Sequence, residues 1–133
     1  VCSSDLHIKK SGAEFICLAG FMRVLSNKFV DLWKDKVVNI HPSLLPSFKG
    51  VDTHKQALEC GVKYHGCTVH FVVPDIDSGP IIVQEVVPVL DDDTEETLGA
   101  RCLEKEHIAY RRALRTIAEK KYKIEGNKVI TWG

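Results

Sequence analysis

Short runs rich in β-branched residues alternate along this chain with stretches of helical periodicity, and that order commits it to an α/β layer architecture. Ala13 to Leu18 reads as a buried strand whose apolar run stops at Ala19-Gly20, and Ser26 caps a helix to about Lys34. Val37 to His41 reads as a second strand, stopped by Pro42, with Pro46 and Gly50 bounding the loop that follows. Asp52 caps a short helix that closes at Gly61. Gly66 to Val73 and Pro80 to Val89 are further strands, joined by the turn-rich segment Pro74-Asp-Ile-Asp-Ser-Gly79. Asp93 with Glu96 makes the capping pattern of a long helix to about Lys120, and the tail from Tyr122 to Trp132 predicts a hairpin around Gly126-Asn127.

Nothing repeats and no linker intervenes, so residues 1–133 are expected to form one domain. At 44% hydrophobic the chain can build a single core of ordinary size, which excludes disorder. Lys+Arg and Asp+Glu both number 18, leaving no net field to hold a polyanion; nucleic-acid and membrane-surface partners are disfavoured. The five Cys form no C-x-x-C pair and several sit in apolar runs, as reduced core thiols in a cytoplasmic setting do. The early apolar stretch from Phe15 to Ala19 falls far short of the ~20 residues of a membrane span. Val1-Cys-Ser-Ser-Asp-Leu lacks an initiator Met and runs into a polar segment resembling the end of a helix, so the chain is expected to be cut at its front.

Three places can carry chemistry. At the end of the second strand, the period of two puts Asn39 and His41 on one face and Ile40 on the other, and Pro42 holds His41 in the extended region. An amide beside an imidazole at a strand's carboxyl end suits a reaction that develops an oxyanion and moves a proton, although the same two residues can simply finish a strand. Asp77 sits in a segment any tight turn would use, and matters only if the fold returns that turn to His41, where a carboxylate would orient the imidazole and raise its pKa. Glu106 falls mid-stripe on the long helix among Leu103, Tyr110, Ala113, Leu114 and Ile117, opposite Glu104, Lys105, Arg111, Arg112 and Arg115. There it needs either an internal donor or a ligand.

A metal site at Cys60, His65, Cys67 and His70 is opposed by strand alternation, which points Cys67 and His70 apart, with His70 on the side of Thr68. No metal is expected. G-x-G-x-x-G, Walker A, G-x-S-x-G and H-E-x-x-H patterns are absent, which removes the usual sequence support for dinucleotide binding, phosphoryl transfer, serine hydrolysis and zinc proteolysis.

Taken in order, Cys17-Leu-Ala-Gly-Phe-Met-Arg-Val-Leu25, Asn39-Ile-His-Pro-Ser-Leu-Leu-Pro46, Asp52-Thr-His-Lys-Gln-Ala-Leu58, Gly66-Cys-Thr-Val-His-Phe71 and Asp77-Ser-Gly-Pro-Ile-Ile82 resemble the blocks of the glycinamide ribonucleotide formyltransferase family. The resemblance covers residues from about Asp5 to Val89 and, more loosely, the helix and tail. It implies a Rossmann-like formyltransferase fold, a mostly parallel sheet flanked by helices, here lacking its first βα units and with them the phosphate-binding loop. The chain would be the C-terminal two thirds of the family domain.

The resemblance further implies transfer of a formyl group from 10-formyltetrahydrofolate to glycinamide ribonucleotide, with no metal and no covalent enzyme intermediate. His41 would be the general acid, Asn39 the oxyanion donor and Asp77 the support of His41. Met22, Arg23, Val24 and Leu25, with Asn39, Val73 and Asp77, would line the folate pocket. Gly20, Ile40, Pro42 and Glu106 would face the ribonucleotide. The Asn-x-His block is shared by formyltetrahydrofolate hydrolases and methionyl-tRNA formyltransferases, so these acceptors, and an inactive fragment, stand as alternatives.

Overall fold

The structure, a computed structural model, describes residues 16–19, 36–73 and 78–132. Among them the chain forms β1 (Ile16–Ala19), β2 (Val37–His41), α1 (Thr53–Cys60), β3 (Tyr64–Phe71), β4 (Ile81–Pro88), α2 (Glu95–Ala118), β5 (Tyr122–Glu125) and β6 (Lys128–Thr131). The described strands make a six-stranded sheet in the order β1-β2-β3-β4-β6-β5.

The expected sheet flanked by helices is present, but its pairing is mixed rather than mostly parallel. β1 with β2 and β4 with β6 run parallel, whereas β2 with β3, β3 with β4 and β5 with β6 run antiparallel. The reason lies in the connections. Each parallel neighbour needs a long crossover, while β3 and β4 are consecutive strands that pair antiparallel and the Gly126-Asn127 turn folds β5 onto β6. β2 is buried at all five positions, which accounts for its unbroken apolar run and its place between two other strands.

One face of the sheet is covered by α2. Cys102, Ala109, Ala113 and Ile117 pack on Val38, Ile40, Cys67, Val69 and Phe71. Ala113, Ile117 and the half-buried Tyr110 keep to the expected stripe, whereas Leu103 and Leu114 at its margins are 49% and 39% exposed. The small Ala109 and Ala113 side chains let the helix axis approach the strands, and the bulkier leucines are carried round to the edge. Glu106 stays on the sheet side, one turn from Cys102.

The start of α2 is also one residue later than the Asp93–Glu96 pattern predicts. Thr94 is the cap and forms a capping box with Thr97. Asp93 instead accepts from the Leu90 N–H and the Thr97 hydroxyl and takes two bonds from the Arg101 guanidinium. That network holds the Asp93 carboxyl well below the usual carboxylate range, first through the Arg101 bond and then through Leu90. Asp52 does occupy the cap position of α1, but in a left-handed conformation with no side-chain cap bond. The helix ends at Gly61 as expected.

Candidate active site

Alternation along β2 places Ile40 in the core beneath α2 and turns Asn39 and His41 to the other face. Both polar residues are buried, at 6% and 2% exposure. The antiparallel register then sets His70 opposite Asn39 and Thr68 opposite His41. The result is a small buried polar field at the carboxyl end of β2, where open α/β sheets place their ligands.

His41 Nε2 lies 2.9 Å from the Phe48 carbonyl. A carbonyl only accepts, so Nε2 carries the proton and donates it there. Phe48 adopts a left-handed backbone at φ 53°, within the loop that Pro42 begins. His70 Nδ1 likewise donates to the Phe71 carbonyl at 3.0 Å. The side-chain oxygen of Asn39 is buried and has no hydrogen-bond partner among the described residues.

Thr68 anchors the loop that follows His41. Its hydroxyl donates to the Ser43 carbonyl at 2.7 Å and accepts from the Leu45 N–H at 3.0 Å and the Gln84 amide at 3.1 Å, which uses its whole capacity. Gln84 also donates to the Leu45 carbonyl at 2.9 Å. Across the mouth, the Lys49 ammonium donates to the Ser78 hydroxyl at 3.0 Å. Gly79 follows, where a Cβ would stand 1.7 Å from the Phe71 carbonyl oxygen, so only glycine lets the chain return beside β3.

Of the residues singled out from the sequence, Asn39 and His41 converge as alternation predicts. Ile40 presents only backbone to that face. Pro42 is half-buried and its carbonyl accepts from the Thr53 hydroxyl. Val73 is half-buried at the end of a described segment. Gly20, Met22, Arg23, Val24, Leu25 and Asp77 lie outside the described residues. Glu106 is half-buried; burial pushes its carboxyl up, opposed by the neighbouring Cys102 thiol and by His107. Thr68, Gln84 and the Phe48 carbonyl were not singled out for the site, because their roles depend on strand register and loop path.

The four residues weighed for a metal do not meet. Cys60 is exposed and Cys67 is buried under α2, whereas His70 pairs with Asn39 on the opposite face. His65 finds a different neighbour, His54, with Nε2 and Nδ1 3.1 Å apart. Burial, and then the His54 and His41 imidazoles, pull the His65 pKa down to about 4.

The chain is 51% identical over 128 residues to the trifunctional purine biosynthetic protein adenosine-3 of Gallus gallus, covering 96% of this chain and 13% of that protein. It is 44% identical over 114 residues to the phosphoribosylglycinamide formyltransferase of Escherichia coli K12, covering 86% of this chain and 54% of that one. The crystal structure of phosphoribosylglycinamide formyltransferase from Anaplasma phagocytophilum superposes with a TM-score of 0.93 at 46% identity, over 96% of this chain and 63% of that chain. A formyltetrahydrofolate deformylase from Pseudomonas syringae superposes at 0.91 with 33% identity, over 96% and 43%. The chain therefore spans between about an eighth and about half the length of these curated relatives. The superpositions identify its architecture as the Rossmann-like formyltransferase fold. The pattern described as formyl transferase matches residues 4–114, a span that contains Asn39, His41, Thr68 and Glu106, and the chain belongs to that family.

Proposed function

We propose that the protein transfers the formyl group of 10-formyltetrahydrofolate to the amino group of glycinamide ribonucleotide. The observation that carries this reading is the pair Asn39 and His41 on one buried face, with the Asn39 oxygen left without a partner among the described residues. Buried amide groups are rarely left incomplete, and a ligand's polar atom would complete this one. Turning the Asn39 amide over presents its NH₂ to the same space.

When bound, the folate supplies the formyl carbon and departs as tetrahydrofolate after the substrate amine has attacked it. Asn39 donates to the oxyanion that forms, a contribution of about 3 kcal/mol for a well-placed donor. His41 supplies and accepts protons; its Nε2–H is now held by Phe48 and is thereby oriented. Asp77 orients and charge-supports His41. Met22, Arg23, Val24 and Leu25, with Val73 and Asp77, hold the folate. Gly20, Pro42 and the Ile40 backbone face the ribonucleotide, and Glu106 contacts it from the sheet side of α2.

The acceptor follows the named phosphoribosylglycinamide formyltransferases among the relatives, and the deformylase likeness supplies the rival reaction, hydrolysis of the same donor. No helix among the described residues is long and apolar enough to cross a membrane, and the free thiols of Cys60, Cys67 and Cys102 suit the cytoplasm. The test is release of tetrahydrofolate with and without glycinamide ribonucleotide. Release that requires the amine supports the proposal. Equal release without it identifies a hydrolase, and no release in either case from folded protein sinks the assignment.

A further inference from the structure

We propose that His54, His65 and Cys102 form a site for one thiophilic divalent cation of the zinc class. None of the three is among the residues assigned to formyl transfer. They come from α1, β3 and α2, so the tertiary fold collects them. One ligand atom from each lies within 4.8 Å of the other two.

The donor geometry is close to what such an ion takes. His54 Nδ1 and His65 Nε2 stand 3.1 Å apart, and two imidazole nitrogens on a tetrahedral zinc stand ~3.3 Å apart. The rings meet edge to face at 88°, with centroids 5.2 Å apart. The Cys102 thiol now donates to the Gly66 carbonyl at 3.2 Å. A movement of about an ångström would bring its sulfur to the ~3.6 Å from nitrogen that tetrahedral N,S coordination requires. On binding, the S–H bond breaks, the sulfur–metal bond forms and that proton leaves to solvent, while the proton now shared between His54 Nδ1 and His65 Nε2 moves to the other nitrogen of its own ring.

His65 is 1% exposed, so a ligand atom on this ring is shielded from bulk water. Gly99 on α2 lets the far edge of the His54 ring pack against the helix, since a Cβ there would stand 3.1 Å from Cδ2 and 3.3 Å from Nε2 of His54. His54 is half-buried, which gives an ion a way in from solvent and leaves a fourth position for water. Two imidazoles and a thiolate favour zinc over the oxygen-seeking magnesium and calcium ions.

The test uses the purified protein, titrated with Co²⁺ as a spectroscopic probe and with Zn²⁺. The expected result is one Co²⁺ per chain with a thiolate-to-cobalt charge-transfer band, displaced by an equimolar amount of Zn²⁺, and a Tm raised by Zn²⁺. Cys102→Ser abolishes the band. His54→Gln, at the half-buried position, weakens Zn²⁺ binding about tenfold or more with an unchanged circular dichroism spectrum, and Cys60→Ser changes neither. A band that persists in Cys102→Ser, Zn²⁺ affinity unaltered by His54→Gln, or no stoichiometric metal uptake by the folded protein overturns the proposal. Should Cys102→Ser fail to fold, His54→Gln decides.

Discussion

His41 stands directly opposite Thr68 in the antiparallel register of β2 and β3, so the imidazole and the hydroxyl that ties down the following loop share one face of the sheet. The position of the proposed acid is thus coupled to a neutral hydrogen-bond hub one strand away.

Removal of the imidazole tests the chemistry. His41→Ala is expected to lower formyl transfer by roughly a hundredfold to ten-thousandfold, the usual loss for an acid–base group. Turnover is compared with the parent protein while folding is followed by circular dichroism. Near-parental turnover would take His41 out of the reaction.

Thr68→Val keeps shape and volume but deprives the Ser43 carbonyl and the Leu45 N–H of their partner. Orphaned buried groups cost about 1–3 kcal/mol each, so a loss of about 2 kcal/mol or more is expected in urea unfolding. Thr68→Ser restores the hydroxyl and should recover most of it. A valine variant as stable as the parent would show that the hub does not hold the loop.

Gly79→Ala places a methyl group 1.7 Å from the Phe71 carbonyl oxygen, beside the bond from Phe71 N–H to the Pro80 carbonyl at 2.9 Å. Backbone must move to relieve that overlap, and a destabilisation of about 3 kcal/mol or more is expected. Denaturant midpoints measure it; an unchanged midpoint would contradict the close approach.

The packing of α2 makes a paired prediction. Ala113→Leu overpacks the helix–sheet interface and should cost about 1–3 kcal/mol, whereas Leu114→Ala at the exposed edge should stay within about 0.5 kcal/mol. The reverse order in thermal unfolding would put Leu114, not Ala113, at the interface.

Acid stability should depend on Asp93. Its carboxyl is held low chiefly by Arg101, so the stabilisation is present above the unfolded-state value near ~3.9 and is lost as pH falls through the lower folded value. Asp93→Asn should therefore be less stable than the parent at neutral pH and converge with it in strong acid. Parallel stability curves across that window would remove Asp93 from the acid limb.

What the sequence by itself determined is local. Pro42 cannot continue a ladder, so β2 ends at His41; Gly61 closes α1; the Gly126-Asn127 pair makes the hairpin; and alternation puts Asn39 and His41 together. These follow from dihedral limits and side-chain period within a few residues. The tertiary structure decided what depends on distant partners. Thr94 rather than Asp93 caps α2 because Arg101, two turns on, captures the Asp93 carboxylate. Ala109 packs with Ala113 against Val38, Val69 and Phe71 while Leu103 and Leu114 are left exposed, a choice within the helical stripe that the facing strands make. The mixed pairing, the Thr68 hub and the meeting of His54, His65 and Cys102 arise from strand register and the packing of separate elements, which short-range propensities do not encode.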